Sequence, residues 1–322
     1  MSFCMACGKV APMDTTTRSP AGYVMFAVAA TLGGINVLAV RISVGELAPF
    51  WAAGLRFSLA AVIFIVIALA LRRQWPRGRL LFLTIVNGLL GISLFYALAY
   101  WALVRVSAGT ATVVLALVPL VTLLLATAQR FERISRRAVA GSLLAVVGIS
   151  WMAIGPGEVT PAVLPLLALL AATVCVGESV IVSKMISANH PAITNAVSLT
   201  VGALTLLGMS ALTGEQWALP RQSEVVWSLL YLVTLGSVGV FALVLLVVRR
   251  LTASATSYMF VLFPLVAMVV GPWLVDEPVT AAGAVGAVLV MIGVWLGALS
   301  PGSARSSRVK PADTTAPVLD SG

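Results

Sequence analysis

The sequence predicts an all-α polytopic membrane protein, with ten transmembrane helices arranged as two inverted five-helix repeats, and three observations lead there. Of its 322 residues 60% are apolar and 10% charged, with a mean hydropathy of +1.07; ordinary globular domains run at about 45–50% and about 25%. A soluble fold would have too little polar surface to cover itself. The stretch 105–148 aligns without a gap, 145 positions later, on 250–293, and ten of the 44 positions are identical, among them Arg105/Arg250, Pro119/Pro264, Glu132/Glu277, Gly141/Gly286 and Gly148/Gly293. The basic residues cluster on alternate connections between apolar runs, as loops on one side of a bilayer do.

Charge-poor apolar segments fall at about 22–41, 47–71, 80–103, 107–128, 138–154, 162–182, 191–212, 225–248, 253–275 and 279–300. Each approaches the ~20 residues that an α-helix needs to cross about 30 Å of hydrocarbon; the fifth is the shortest. The runs are continuously apolar rather than alternating, which favours helices over a β-barrel. The first run is expected to be a retained helix rather than a signal peptide, because nine more follow and no small-residue cleavage site precedes polar sequence. Five spans fill 22–155 and five fill 161–300. The tails 1–21 and 301–322 are rich in Ser, Thr, Pro and Ala and are expected to be disordered and cytoplasmic.

Ten crossings put both ends on one side. That side holds sixteen of the twenty basic residues, from Lys9 to Lys310; the other holds Arg41, Arg105 and Arg221, and Arg56 lies within a span. The asymmetry places both termini in the cytoplasm of a cell membrane, plasma or inner. Seven of the eight tryptophans lie near span ends, where their rings suit the headgroup region. An odd number of helices per repeat makes the second copy enter from the opposite face, so Glu132 falls in a cytoplasmic loop and Glu277 in an external one, and the halves are related by a pseudo-two-fold axis in the membrane plane.

Several chemistries are disfavoured. The net charge of +9 comes from short clusters between apolar runs, which suits anionic lipid rather than nucleic acid. No Gly-x4-Gly-Lys-Ser/Thr loop is present, which argues against an ATP-driven pump acting alone. Cys4 and Cys7 have the spacing of a zinc half-site, but closing it needs two more ligands and the only histidine is His190; an unstructured start or an upstream initiation codon is the plainer reading. No cofactor and no metal are expected.

The first copy reads Ser-Ala-Gly-Thr-Ala from 107, then Pro119, then Glu132-Arg-Ile-Ser; the second reads Thr-Ala-Ser-Ala-Thr from 252, then Pro264, then Glu277-Pro-Val-Thr. Pro49 leads to Leu55-Arg56-Phe57 in the second span. These residues resemble the drug/metabolite transporter superfamily, specifically EamA-type proteins, over about 22–299. The resemblance implies alternating access without nucleotide hydrolysis and relatives that export amino acids, drugs and other metabolites. The basic Gln129-Arg130-Phe131 ahead of Glu132 departs from the small, apolar lead-in of that family.

An ionisable group inside a span costs at least about 2.5–3.5 kcal/mol without a partner or a wet cavity, which singles out Arg56 and Glu178. At 1.5 Å per residue Arg56 lies about 12 Å below the outer end of its helix and Glu178 about 7 Å above the inner end of its own. Arg56 could bind a substrate carboxylate, hold backbone across the repeat interface, or snorkel. Glu178 could exchange a coupling proton or contact substrate, remain a protonated, hydrogen-bonded carboxyl, or reach the cytoplasmic interface. Aligning Arg41 with Lys184 sets Asn36 opposite Ser179. Asn36 is expected at the depth of Arg56, and Asn87, Asn195 and Tyr258 nearer Glu178; Tyr96 and Tyr100 would share a helix face and could wall a cavity. For each, plain interhelical hydrogen bonding is the alternative. Pro119 and Pro264 should bend their helices equivalently, as hinges or fixed kinks. Gly293/Gly297 and Gly141/Gly148 should pack helices within the chain.

The expected function is secondary-active transport, outward, of a small organic metabolite such as an amino acid or drug-like compound, with protons as a candidate coupling ion, by a monomer or homodimer. A channel or sensory membrane protein is the alternative, and an integral membrane enzyme a weaker one, since acid/base or metal chemistry would need clustered His, Asp, Glu or Cys.

Overall fold

The computed structural model describes residues 20–72, 74–103, 114–132, 134–153, 163–274 and 281–299, and all the regular elements among them are helical. In the first half, α1 is Pro20–Val44 and α2 is Pro49–Ala70. The third span is α3 (Arg79–Gly88), a π-helical turn at Leu89–Leu94 and α4 (Phe95–Leu103); α5 (Val118–Ala128) and α6 (Arg136–Ala153) follow. The second half has α7 (Val163–Met185) and α8 (Pro191–Leu212), then α9 (Ser223–Val233), which passes through a π turn at Thr234–Gly239 into α10 (Val240–Arg250). It ends with α11 (Ala253–Ser257), α12 (Met259–Leu274) and α13 (Ala281–Val294), the last closing in a π turn at Trp295–Leu299.

Seven helical runs among the described residues are long and apolar enough to cross a membrane, from Ala21–Val44 to Ala253–Leu274; Val118–Ala128 and Ala284–Gly297 are shorter apolar helices. The predicted spans outside those seven are the fourth, of which residues 107–113 are not described, the fifth, which opens on Arg136 and Arg137, and the tenth.

Local chemistry sets the helix ends. Pro49 and Pro191 open α2 and α8 in the first turn, where the missing N–H is one that no helical carbonyl would have received. His190 Nδ1 accepts from the Ala192 amide at 3.3 Å. Arg72 (φ 47°) and Arg130 (φ 62°) take the left-handed conformation just past the ends of α2 and α5, a place usually held by glycine.

Alanines recur throughout the buried interior, and many large apolar side chains face outward. Ala29, Ala60, Ala172 and Ala196 are fully buried, whereas Val62, Leu204 and Val288 are 57–67% exposed. This reverses a soluble fold and lets helix backbones approach closely. The contacts repeat across the halves: α2 packs on α8, α6 on α13, α1 on α12, and α7 on α4 and α5. At α6/α13 a Cβ on Gly141 would stand 2.6 Å from the Gly293 carbonyl oxygen, and one on Gly148 would stand 2.8 Å from that of Gly286. The glycine faces therefore pack helices within the chain.

The first two π turns lie 145 residues apart at both ends, the offset of the sequence duplication. Each presents a glycine to the first helix of the other half. A Cβ on Gly91 would stand 2.7 Å from Ser179 Oγ on α7, and one on Gly236 would collide with Asn36 Oδ1 on α1. Because Asn36 and Ser179 are themselves aligned, the same contact is made twice, once by each half.

Candidate functional site

The π turn at Thr234–Gly239 meets two polar side chains of the first half, Asn36 and Arg56. Asn36 Nδ2 donates to the Gly236 carbonyl at 2.8 Å. On the next residue, Ser237 Oγ accepts from Arg56 Nε at 2.9 Å. Arg56 Nη2 reaches the Tyr96 hydroxyl at 3.4 Å. The guanidinium lies 4.5 Å from the centroid of Phe57 and 5.6 Å from that of Tyr96, an attraction worth about 2 kcal/mol when desolvated. Arg56 is 3% exposed, Ser237 is fully buried, and Asn36 Oδ1 is buried with no partner. The Tyr231 hydroxyl donates to the Leu32 carbonyl at 2.9 Å, fastening α9 to α1 beside the cluster.

An aromatic row leads away from Arg56. Tyr96 meets Phe57 and Phe95 edge-on at 5.0 Å; Phe95 meets Phe260 at 6.2 Å, and Phe260 meets Phe263 at 5.3 Å. The row runs from α2 and α4 of one half to α12 of the other, and Phe95, Tyr96, Phe260 and Phe263 are each only half-buried. A permanent cation, a buried acceptor and an aromatic wall from both halves can orient a small organic molecule with a polar head.

Of the residues singled out in the sequence, the structure brings together Asn36, Arg56 and Tyr96. Tyr100 lies in α4, but its side chain is outside those described. Asn87 is tied elsewhere: its Oδ1 accepts from Ser183 at 2.9 Å and its Nδ2 donates to Ser198 at 3.3 Å, joining α3 to α7 and α8. Asn195 has a buried Nδ2 with no partner. Tyr258 is fully buried, its hydroxyl 2.9 Å from both Ser142 Oγ and the Ala138 carbonyl, and it locks the α11–α12 junction to α6. Glu178 is half-buried and accepts from Gln129 Nε2 at 2.7 Å, just past the end of α5. Arg56 and Glu178 form no pair.

Glu132 spans the halves. It accepts from the Ala253 and Ser254 amides at 2.7 and 3.2 Å and from the Ser254 hydroxyl, capping α11. Nearby, Lys184 Nζ donates to the Val248 and Leu251 carbonyls at 2.6 Å each, closing the end of α10. Glu277 lies outside the described residues, as do Cys4 and Cys7. At the other end Glu215 caps α2 through the Phe50 and Trp51 amides at 3.1 and 2.8 Å, and Glu46 accepts from the Arg221 and Gln222 amides. Trp51 stacks on Trp217 at 5.0 Å.

Pro119 sits in the first turn of α5, directly after a turn at residues 116–117, while Pro264 lies inside α12, whose span is interrupted earlier, at Tyr258, so each proline follows a break in its span. Ser237, Tyr231 and Lys184 were not singled out from the sequence as site residues; the small-residue run Gly-Ser-Val-Gly at 236–239 within an apolar span was the available signal for Ser237.

The model of the EamA-like transporter family matches residues 20–154 and 163–298, one match per half. The chain belongs to that family. Relatives of this EamA-like protein include an uncharacterized transporter of Archaeoglobus fulgidus, 24% identical over 85% of this chain and 97% of its own, and the uncharacterized transporter YyaM of Bacillus subtilis, 26% identical over 84% and 92%. A probable terminal-alkyne amino-acid exporter of Streptantibioticus cattleyicolor is 29% identical over 75% of this chain and 81% of its own. A solved crystal structure covering 88% of the chain superimposes with a TM-score of 0.70 at 22% identity, a likeness of fold. This EamA-like chain is therefore a multi-pass, all-helical membrane protein of a transporter family.

Proposed function

We propose that the protein is a secondary-active exporter of a small organic metabolite, an amino acid or a drug-like compound, working by alternating access of two inverted five-helix repeats with both termini in the cytoplasm. The observation that carries this reading is the Arg56 centre. Its charge comes from α2 of one half and its anchoring hydroxyl from the π turn of the other, so relative motion of the halves remakes the site. The doubled glycine contacts, Gly91 on Ser179 and Gly236 on Asn36, support a pseudo-two-fold relation in which inward-open and outward-open states mirror each other. The exporter among the relatives supports the direction.

Saturable uptake into proteoliposomes that exchanges against preloaded substrate is the expected behaviour. Rapid unsaturable flux would make the protein a channel, and product formation without net movement an enzyme. Glu178 is proposed as the coupling carboxylate, half-buried beside the end of α5, where it accepts from Gln129. Glu178→Gln should then abolish pH-gradient-driven accumulation and spare exchange; unchanged accumulation removes it from the mechanism.

A further inference from the structure

We propose that the Arg56 centre selects substrates bearing a carboxylate on an apolar or aromatic body and rejects lipophilic cations, which rests on the exporter reading and narrows its substrate class. Arg56 brings a cationic guanidinium into a site where it is 3% exposed. Its two hydrogen bonds go to neutral hydroxyls, Ser237 on Nε and Tyr96 on Nη2, and among the described residues Nη1 has no protein partner.

The described carboxylates are engaged elsewhere or lie at the surface. Glu46 and Glu215 hold backbone amides at one end of the bundle, Glu132 holds Ala253 and Ser254 at the other, Glu178 takes Gln129, and Glu224 is exposed in the first turn of α9. A buried cation without a counter-charge is costly. A ligand carboxylate facing the Nη1–Nη2 edge supplies that charge with the geometry a guanidinium fork requires.

The same arrangement excludes cations. Phe57 and Tyr96 offer the π faces that would attract an ammonium or quaternary amine, and the Arg56 guanidinium already lies over both. A second cation would meet like charge at low dielectric. The row from Phe95 through Phe260 to Phe263 leaves half-buried aromatic surface for the ligand's body.

Three probes with one skeleton test this: 3-phenylpropionate, 3-phenylpropanol and 3-phenylpropylammonium, measured by thermal stabilisation of the purified full chain. 3-Phenylpropionate should stabilise most and the ammonium compound not at all. Arg56→Gln should erase the difference, and Arg56→Lys should keep the order of preference while raising the half-saturating carboxylate concentration about tenfold, for loss of the fork. The proposal is overturned if the alcohol or ammonium stabilises as well as the carboxylate, if none of the three stabilises, or if the preference survives Arg56→Gln. Should Arg56→Gln fail to fold, equal weakening of carboxylate and alcohol by Arg56→Lys overturns it instead. Flux in proteoliposomes separates the two readings: carboxylate binding without transport removes the exporter and leaves this site, whereas transport that favours neutral or cationic compounds removes this site alone.

Discussion

A single carboxylate, Glu132, serves three donors of the opposite half: the Ala253 and Ser254 amides and the Ser254 hydroxyl. Hydrogen bonds to a charged group are worth about 1.5–3 kcal/mol each, and a partner left unsatisfied costs the desolvation of that donor as well. Glu132→Ala should therefore lower the melting temperature clearly, and Glu132→Gln, which keeps an acceptor oxygen, by less; an unchanged melting temperature in both would show that the charge and its bonds contribute nothing. Of the residues weighed in the sequence, Arg56 was legible because a charge in an apolar span is costly wherever it sits. Its partners were not, because Ser237 is an ordinary small residue until the chain brings α9 against α2. Glu178 was legible by the same rule, yet its position beside Gln129 depends on where α5 ends, which hydropathy does not fix.

The π turns at Leu89–Leu94 and Thr234–Gly239 each insert a wider turn where a glycine meets the other half, and such turns commonly occur at functional places. A methyl group on Gly236 would collide with Asn36 Oδ1 and break the Asn36–Gly236 bond. Gly236→Ala should thus be destabilising in the native background and much less so beside Asn36→Ala. A coupling of about 0.5–3 kcal/mol in that double-mutant cycle is expected for residues in contact, and additive effects would refute the contact. For the seven long apolar helical runs, approximate limits could be read from apolar run length. The π turns could not, since they change the hydrogen-bond register without changing hydropathy. Nor could the local setting of the two prolines be read: Pro119 falls in the first turn of α5, while Pro264 lies within α12.

At the scale of the molecule, the pairings α2 with α8, α6 with α13 and α1 with α12 all join one half to the other, and the buried faces they create belong to neither alone. Residues 1–157 produced by themselves should remain protease-sensitive in membranes and gain protection on co-production with residues 158–322; a fully protected lone half would show that it folds independently. The 145-residue duplication announced two halves from the sequence. Which helix faces which depended on small-residue surfaces whose partners no one-dimensional pattern names. The carboxylates at the helix ends carry the matter further. Glu46 and Glu132 finish helices of the second half, and Glu215 finishes one of the first. Each half thus closes the other's loose ends, so hybrids spliced between relatives at the midpoint inherit mismatched closures, and a working hybrid must carry these acidic residues across together with the amides they hold.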